Sequence, residues 1–357
     1  MTPTRGARRA SVIGTGLIGA SVGLALRERG WHISGTDADA AAQARALERG
    51  AIDEVGLDPV SEVTFVALPV RSVPAAAACA LAETSGAVTD VGSVKASIVA
   101  EVDDPRFVGG HPMAGSEQLG VDGADGGLFA GAVWVLTPVA RTGSDAFATV
   151  DAVIRALGAE VVALAPDRHD ALVAVVSHVP HLTAAALMGI ADERAGEHAA
   201  LLRLAAGGFR DMTRIAAGSP TIWPDICAEN RTAIVEVIDR LTTELSRLRA
   251  IVDQGHQDDL LATLERAQAA RRNLPGRVVQ PEALAEVRVP VPDREGVIAE
   301  VSTLAAELGV NLADVEIAHS SEGDRGVLIL LVDRARSDPF AAGLIERGYH
   351  PTVTPLT

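Results

Sequence analysis

Short β-rich runs alternate with alanine-rich helical stretches from residue 10 to about residue 165, and this alternation limits the fold more than any other feature. The runs are ASVIG, HISGTD, VTFVALP, GAVTDVG, RFVGGHP, AVWVLTP and AEVVALA. Strands that alternate with helices are typical of βαβ units, whose parallel strands form one sheet with helices on both faces. The sequence therefore predicts a doubly wound α/β domain over residues 1–166.

A glycine-rich turn, GTGLIG, follows the first of these strands and precedes a helix. In this position a G-x-G-x-x-G turn lets the backbone approach a pyrophosphate at the amino end of the helix. Asp37 ends the second strand, where a carboxylate binds both ribose hydroxyls. The 2′-phosphate of NADP would meet this charge, and like charges about 4 Å apart cost roughly 4 kcal/mol at an effective dielectric constant near 20. We therefore predict a Rossmann domain that binds NAD, with contacts from Gly14, Gly16, Leu17, Ile18, Gly19 and Asp37.

Helical periodicity replaces strand patterns from residue 167 to about residue 272. RTAIVEVIDRLTTELSRLRAIV places a row of apolar side chains on one face of a helix: Ile234, Val237, Ile238, Leu241, Leu245 and Leu248. An all-α domain is therefore predicted over residues 167–275. The apolar row is long for a lone surface helix, and its partner is either a helix of this chain or one of a second subunit.

The remaining sequence predicts a small third domain. A polar, arginine-rich stretch, RAQAARRNLPGRVVQPEA, is typical of a linker. Strand and helix patterns then follow in the order βαββαβ, which predicts a ferredoxin-like domain over residues 283–357.

Composition excludes several classes of partner. The formal net charge is −16 and the pI is near 5.0, so binding to nucleic acid or anionic lipid would work against the protein's own field. The two cysteines, Cys79 and Cys227, give neither a disulfide framework nor metal-ligand spacing. The most apolar stretch, residues 171–191, is broken by Pro180 and carries two histidines, so it predicts a core helix rather than a membrane span. We expect a cytoplasmic protein with small-molecule ligands and without nucleic acid, membrane or metal partners.

Polar residues cluster where three apolar patterns end, in DVGSVK, GGHPMAGSE and SHVPH. The carboxyl ends of the strands face the ligand crevice of a doubly wound sheet. A neutral imidazole there can take a hydroxyl proton while hydride leaves the same carbon, and a nearby serine can fix its tautomer. His111 and Ser93 suit these roles. A lone histidine is more often a hydrogen-bonded core residue, but the glycines around His111 allow a close approach by backbone and cofactor and favour the catalytic role.

Seven segments in order resemble the prephenate dehydrogenase family, which includes arogenate-using relatives. They are GTGLIGAS, DVGSVK, GGHPMAGSE, LFAGAVWVLTP, SHVPHLTAAAL, FRDMTRIAAGSPTIWPDI and the closing βαββαβ unit. The resemblance covers nearly the whole chain and implies a regulatory ACT domain at the carboxyl end. It implies that NAD accepts hydride from the ring carbon bearing the 4-hydroxyl of prephenate. A histidine withdraws the hydroxyl proton, and the ring carboxylate leaves as carbon dioxide to give 4-hydroxyphenylpyruvate for tyrosine biosynthesis.

The same resemblance implies the residues of the substrate site. His111 matches the histidine base and Ser93 its support. His181 and Arg214 match ligands of the substrate anion, and Trp223 matches a tryptophan that closes the pocket, from this chain or from a partner subunit.

A charged cluster that gates access is also implied, formed by Glu117 and Asp211 with Arg214. A bidentate arginine is well suited to a dicarboxylate in a protein of negative charge. The alternatives are that Arg214 is a surface side chain and that Trp223 only fills the core. For His178, in the same segment as His181, we expect a structural role at the entry of a helix.

Lys95 is the one lysine in a sequence with 31 lysines and arginines. Its survival indicates a position where the broad head of arginine does not fit. Two environments remain open, the nicotinamide site and an ion pair with a buried carboxylate such as Asp90.

Resemblance to an ACT domain implies that two copies pair edge to edge and hold an amino acid between them. Asn311 matches an effector contact, and tyrosine as effector is the hypothesis that the pathway suggests. The alternative is a dimerisation element without a ligand. We therefore expect a homodimer.

Three other functions fit parts of the sequence. Arogenate dehydrogenase differs only in acting on an ammonium-bearing substrate and forms tyrosine directly. A 3-hydroxyacid dehydrogenase has the same two-domain plan but usually needs a catalytic lysine in the helical domain, where this sequence has none. A non-catalytic sensor would bind NAD and an amino acid without turnover.

Overall fold

The computed structural model describes residues 7–115, 118, 120–195, 201–273, 284–292, 294–319 and 325–355. The chain divides into two compact units, the first ending at Gly255 and the second beginning at His256.

An eight-stranded sheet forms the centre of the first unit. Its order is β3-β2-β1-β4-β5-β6-β7-β8, with β1 (Arg9–Ile13), β2 (His32–Thr36), β3 (Glu54–Val55), β4 (Val63–Val66), β5 (Ala87–Asp90), β6 (Phe107–Pro112), β7 (Val133–Thr137) and β8 (Glu160–Ala163).

Five helices accompany these strands: α1 (Leu17–Arg27), α2 (Ala40–Glu48), α3 (Val73–Glu83), α4 (Ala96–Glu101) and α5 (Ser144–Ala156). All four residues of β4 are buried, as are all six of β6, because helices cover both faces of the sheet. The predicted Rossmann-like domain is therefore confirmed.

One edge of the sheet differs from the prediction of parallel βαβ units. The strand β7 runs antiparallel to β6, and β8 is parallel to β7. A parallel pair needs a crossover connection, usually a helix. Between β6 and β7 the described residues contain only a short 3₁₀ turn, Val121–Gly123, so the chain folds back beside β6.

Helices alone follow β8 in the first unit, as the sequence predicts. They are α6 (Pro166–Val173), α7 (Val179–Ala195), α8 (Gly207–Thr213), α9 (Trp223–Glu229) and α10 (Arg231–Asp253), with a π-helical turn at Ala174–His178 and 3₁₀ turns at Leu201–Leu204, Arg214–Ala217 and Pro220–Ile222.

The apolar row of α10 is only partly covered within this chain. Ile234 is buried with Ala174, and Val237 and Leu241 pack against the same cluster. Leu245 is 55% exposed. The intrachain partner thus accounts for the first half of the row.

One helical run among the described residues, Pro166–Arg194, is long and apolar enough to cross a membrane by length and composition. Core helices of soluble proteins meet the same criterion. This run carries a histidine and an aspartate, His169 and Asp170, in a buried hydrogen-bond chain.

The second unit contains α11 (Gln257–Arg272), β9 (Leu284–Pro292), α12 (Val297–Glu307), β10 (Leu312–His319), β11 (Arg325–Asp333), α13 (Arg334–Glu346) and β12 (Thr352–Pro355). From β9 onward the order is βαββαβ, and the sheet has the order β10-β11-β9-β12 with every pair antiparallel. The predicted ferredoxin-like order is thus present.

The start of the predicted linker is helical. Helix α11 extends to Arg272, and its sequence AQAARR consists of residues with high helix propensity.

Candidate active site

A cavity of about 650 Å³ lies at the carboxyl ends of β1, β4, β5 and β6. Loops after these strands form one wall, which includes the glycine-rich turn, Ser93 and His111. The other wall comes from the helical part and includes His181, Arg214 and Trp223. The crevice predicted from the strand ends is therefore observed. Eight of the predicted site residues line it: Gly16, Leu17, Ile18, Ser93 and His111 on the first wall, and His181, Arg214 and Trp223 on the second.

Gly14 and Gly19 allow a tight turn between β1 and α1. The φ angle of Gly14 is 90°, a left-handed conformation that favours glycine, and a Cβ there would overlap the carbonyl oxygen of Ala67. A Cβ on Gly19 would overlap the carbonyl oxygen of Gly14. These two glycines therefore bring the helix against the strand.

The turn also fits a dinucleotide. Gly16 has open space where a Cβ would project, it lines the cavity, and the amino end of α1 has no side-chain cap. The amino end thus offers N–H groups and a positive dipole to a pyrophosphate. Asp37 accepts hydrogen bonds from Thr15 through its backbone N–H at 2.6 Å and its hydroxyl at 3.1 Å. The same carboxylate is thereby held beside the turn, where a ribose would lie.

His111 occupies the carboxyl end of β6, opposite Val135 of β7. It lines the cavity but is only 8% exposed. The residue before it must be small, since a Cβ on Gly110 would stand 2.7 Å from the carbonyl oxygen of Asp90. Burial, followed by the neighbouring His169, Lys95 and His178, lowers the pKa of His111 well below its ordinary value. His111 is therefore neutral at physiological pH.

His169 and Asp170 stand behind His111 and were not predicted from the sequence. Nδ1 of His111 lies 2.8 Å from Nε2 of His169, and Nδ1 of His169 lies 2.7 Å from Oδ1 of Asp170. All three side chains are buried. The histidine of the cavity wall is thus the first member of a His–His–Asp chain.

Asp170 also joins the helical part to the sheet. Its carboxylate accepts the backbone N–H groups of Lys95 at 2.8 Å and Ala96 at 2.9 Å, at the start of α4. Its carbonyl accepts a hydrogen bond from the side-chain amide of Asn230 at 2.8 Å. Asp170 is therefore fixed at both its side chain and its backbone.

Lys95 is fully buried and forms an ion pair with Asp90. Its ammonium also donates to the carbonyl of Gly110 at 2.8 Å. Asp90 in turn accepts the N–H groups of Gly92 at 2.8 Å and Gly110 at 3.0 Å. Of the two environments left open by the sequence, the structure shows the ion pair, and Lys95 does not line the cavity.

Ser93 is half-buried on the cavity wall. Among the residues that the structure describes, no hydrogen bond joins Ser93 to His111. The hydrogen-bond partner of Nδ1 of His111 is His169, so the predicted contact through which Ser93 would fix the tautomer is not seen.

His181 and Trp223 stack face to face on the helical wall. Their ring centroids are 3.7 Å apart and their planes differ by 13°. His178 meets the same tryptophan edge-on at 6.1 Å, and its Nδ1 lies 3.1 Å from the amide nitrogen of Asn230. Burial lowers the pKa of His178 to about 4 and also lowers the pKa of His181. Trp223 therefore contacts a cavity histidine of its own chain.

Of the three predicted members of the gating cluster, one is placed at the cavity. Arg214 lines it, at the start of a 3₁₀ turn. Asp211 is exposed on α8 and is outside the cavity lining. Glu117 lies outside the described residues.

In the second unit, Asn311 is exposed immediately before β10. Across the described part of the chain, no group of three or more histidine, cysteine, aspartate or glutamate side chains is placed to hold a metal ion.

Two family models match successive parts of the chain. The first, prephenate dehydrogenase nucleotide-binding domain, matches residues 22–163, and the second, prephenate dehydrogenase dimerization domain, matches residues 165–266. The boundary between them falls just before α6, which supplies His169 and Asp170.

Known relatives are similar over most of their length. Prephenate dehydrogenase of Bacillus subtilis (strain 168) is 33% identical over 331 residues, which are 88% of this chain and 89% of the relative. A crystal structure of Aquifex aeolicus prephenate dehydrogenase with hydroxyphenyl propionate and NAD⁺ is 29% identical with a TM-score of 0.70, over 76% of this chain and 100% of that one. Synechocystis arogenate dehydrogenase is 30% identical with a TM-score of 0.63, over 74% and 98%. The chain therefore belongs to the prephenate dehydrogenase family of NAD-dependent oxidoreductases.

Proposed function

We propose that the chain catalyses the oxidative decarboxylation of prephenate to 4-hydroxyphenylpyruvate in tyrosine biosynthesis. The observation that carries this proposal is that a buried, neutral histidine, His111, lines the same cavity as the dinucleotide turn and Arg214. Family membership and the Bacillus subtilis relative support the same substrate.

His111 supplies the base in this mechanism. Its imidazole accepts the proton of the 4-hydroxyl as the carbon that carries this hydroxyl is oxidised. NAD, when bound by the turn at Gly16–Ile18 and by Asp37, supplies the hydride acceptor. The electron pair of the bond to the ring carboxylate enters the ring, carbon dioxide leaves, and the ring becomes aromatic as its oxygen takes back a proton to form the product hydroxyl. A neutral imidazole is required because an imidazolium has no free electron pair to accept the proton.

Arg214 and His181 bind the substrate anions in this proposal. Prephenate carries two carboxylates, and charges more than about 8 Å away are largely screened at physiological salt, so local donors must hold them. Arg214 offers a planar fork that matches a carboxylate. The lowered pKa of His181 makes it a neutral N–H donor, and Trp223 fixes the orientation of its ring. Asp211 and Glu117 would act at the edge of the site and Ser93 beside the reacting hydroxyl.

Arogenate is the alternative substrate, supported by the similarity to Synechocystis arogenate dehydrogenase. Its ring is the same, and only the side chain differs, with an ammonium in place of the keto group. An acidic side chain near Arg214 would favour the ammonium, and Asp211 and Asp225 are candidates for this role.

Spectroscopic measurement of NAD reduction tests both substrates. Purified protein is given prephenate and arogenate separately, with His111→Asn as the control. We expect turnover of prephenate that is lost in the variant. Turnover of arogenate alone would support the alternative, and turnover of neither acid would refute both and favour a non-catalytic sensor or another dehydrogenase class.

The rest of the domain plan is also a proposal. We infer domains at residues 1–166, 167–275 and 283–357, with the last acting as an ACT regulatory domain. The ferredoxin-like order of the second unit supports this assignment, and tyrosine would contact Asn311. Calorimetric titration of the full chain with tyrosine, with Asn311→Ala as the matched variant, is expected to give binding that the variant weakens. Absence of heat in the unmodified protein would favour a dimerisation element without effector.

A cytoplasmic homodimer is the expected assembly. The helical part matches a family model described as a dimerization domain. Exposed apolar side chains on its helices, Val176, Leu245 and Val252, would be buried in such an interface. Sedimentation of the full chain is expected to give twice the mass of 36.8 kDa.

A further inference from the structure

Two buried residues lie behind the cavity, outside its lining, and the proposed mechanism does not use them. His169 is completely buried and Asp170 is 5% exposed, and both lie on α6, in the helical part. We propose that His169 and Asp170 are positioning residues that hold the proton of His111 on Nδ1, leave Nε2 as the proton acceptor, and share the proton taken from the substrate. This inference rests on the proposed function of His111 as the base.

The direction of each hydrogen bond follows from the Asp170 end of the chain. The carboxylate of Asp170 already accepts two backbone N–H groups, from Lys95 and Ala96. The bond to His169 must therefore carry its proton on Nδ1 of the histidine, because an ionised carboxylate only accepts. A neutral His169 with the proton on Nδ1 has a free electron pair on Nε2.

That electron pair determines the tautomer of His111. Nε2 of His169 accepts, so Nδ1 of His111 must donate across the 2.8 Å separation. The other ring nitrogen of His111, Nε2, is then the unprotonated one. The side chain that lines the cavity is thus prepared to accept a proton.

The surrounding charges favour transfer along the same chain. Around His111 stand Lys95 and Asp90 beside β5, His169 and Asp170 on α6, and His178 on the π-helical turn. An added positive charge on His111 is opposed by burial and by Lys95. When Nε2 of His111 takes the substrate proton, the Nδ1 proton can pass to Nε2 of His169. The positive charge then lies on His169, next to Asp170. One proton has moved from the substrate to His111 and one from His111 to His169, while the Nδ1 proton of His169 stays in its bond to Asp170.

The tautomer can be measured on the unmodified holoenzyme. Two-bond ¹H–¹⁵N correlation spectra at pH 7.5 distinguish the protonated ring nitrogen of each histidine, and His111→Asn and His169→Gln assign the two signals by their loss. We expect the proton on Nδ1 in both histidines. A His111 signal with the proton on Nε2 would overturn the proposal, whatever the turnover of the protein.

Two variants of His169 separate orientation from proton sharing. Glutamine retains an acceptor for Nδ1 of His111 but cannot take its proton, whereas leucine removes both functions. We expect the kcat for prephenate to fall about 10²- to 10³-fold in His169→Leu, which is within the range that general acid–base catalysis contributes. The fall in His169→Gln should be smaller, about 10-fold, and KM should change less than about threefold in both variants. If His169 had only a structural role, its variants would change KM and folding together, and the kcat of His169→Leu would not fall further than that of His169→Gln.

His32→Gln is the matched control. His32 also lies beside carboxylates, with Nδ1 3.6 Å from Asp53, but it is at the amino end of β2, outside the cavity lining. Its kcat is expected to stay at the unmodified value. A kcat within twofold of the unmodified protein in His169→Leu would overturn the proposal. Absence of turnover in the unmodified protein would instead refute the proposed function and leave the tautomer measurement as the test of the positioning chain.

Discussion

Replacement of Lys95 by methionine tests the ion pair that lies behind His111. Methionine keeps an unbranched side chain of similar length but removes the ammonium, so Asp90 and the carbonyl of Gly110 lose their donor. Asp90 keeps two backbone donors, yet its charge is left buried without a counter-ion. Breaking a buried pair from one side costs about 3–5 kcal/mol. We expect this loss in the free energy of unfolding of the first unit.

Tryptophan fluorescence during urea and thermal unfolding provides a selective assay. The three tryptophans, Trp31, Trp134 and Trp223, all belong to the first unit, so their emission does not report unfolding of the second. For a unit of this size the expected loss lowers Tm by about 6–20 °C. A loss below about 1 kcal/mol would refute the view that Lys95 compensates a buried charge.

Two further variants test whether the loss of stability in Lys95→Met comes from the unpaired charge of Asp90. Asp90→Asn combined with Lys95→Met leaves no unpaired buried charge, so the combined loss should be smaller than the sum of the single losses by about 0.5–3 kcal/mol. Lys95→Arg retains the charge but needs more space, and the Lys95 side chain is fully buried. Overpacking should cost about 1–3 kcal/mol. An unchanged Lys95→Arg protein would remove the steric explanation for the single lysine.

Three further outcomes are expected. The pKa of His178 is about 4 in the folded protein against an ordinary value of 6.5, so between these pH values the unfolded chain binds one more proton than the folded chain. The free energy of unfolding should therefore fall by about 3 kcal/mol as the pH falls from 6.5 to 4. In His178→Gln, the free energy of unfolding measured in urea should depend less on pH over this range. Asp37→Ser should raise kcat/KM with NADP relative to NAD by up to about 10³-fold, and an unchanged ratio would place the ribose elsewhere. Trp223→Leu removes the stack on His181 and should raise KM for prephenate about 2- to 12-fold with a smaller change in kcat; a kcat effect alone would contradict this role.

Local patterns explain why much of the site could be predicted. The glycine-rich turn is a short segment whose conformation follows from Gly14 and Gly19, and its place after a strand fixes its position in the crevice. His111 could be found because the carboxyl ends of parallel strands meet at one edge. Both inferences need only the order of strands and helices along the chain.

Contacts between distant segments could not be predicted in the same way. His169 and Asp170 lie in an ordinary helical pattern, and only packing of α6 against β6 and α4 brings them to His111 and Lys95. The two environments of Lys95 are equally compatible with its sequence position, because a few residues after a strand end lead either into the crevice or behind it. The one feature of the sequence that could have indicated these two residues is the polar pair HD near the start of an apolar helical run.

The location of α6 restricts how this protein can be divided. The nucleotide-binding model ends at residue 163, yet the side chain that orients His111 comes from residue 169, and Asp170 closes the first turn of α4. A nucleotide-binding segment transplanted alone would bring its turn and its histidine but leave that histidine with whatever partner the new host supplies. Recombination between relatives therefore has a natural breakpoint after α6 rather than before it. The nucleotide-binding segment and the helical part are interchangeable only where His169 and Asp170 are retained.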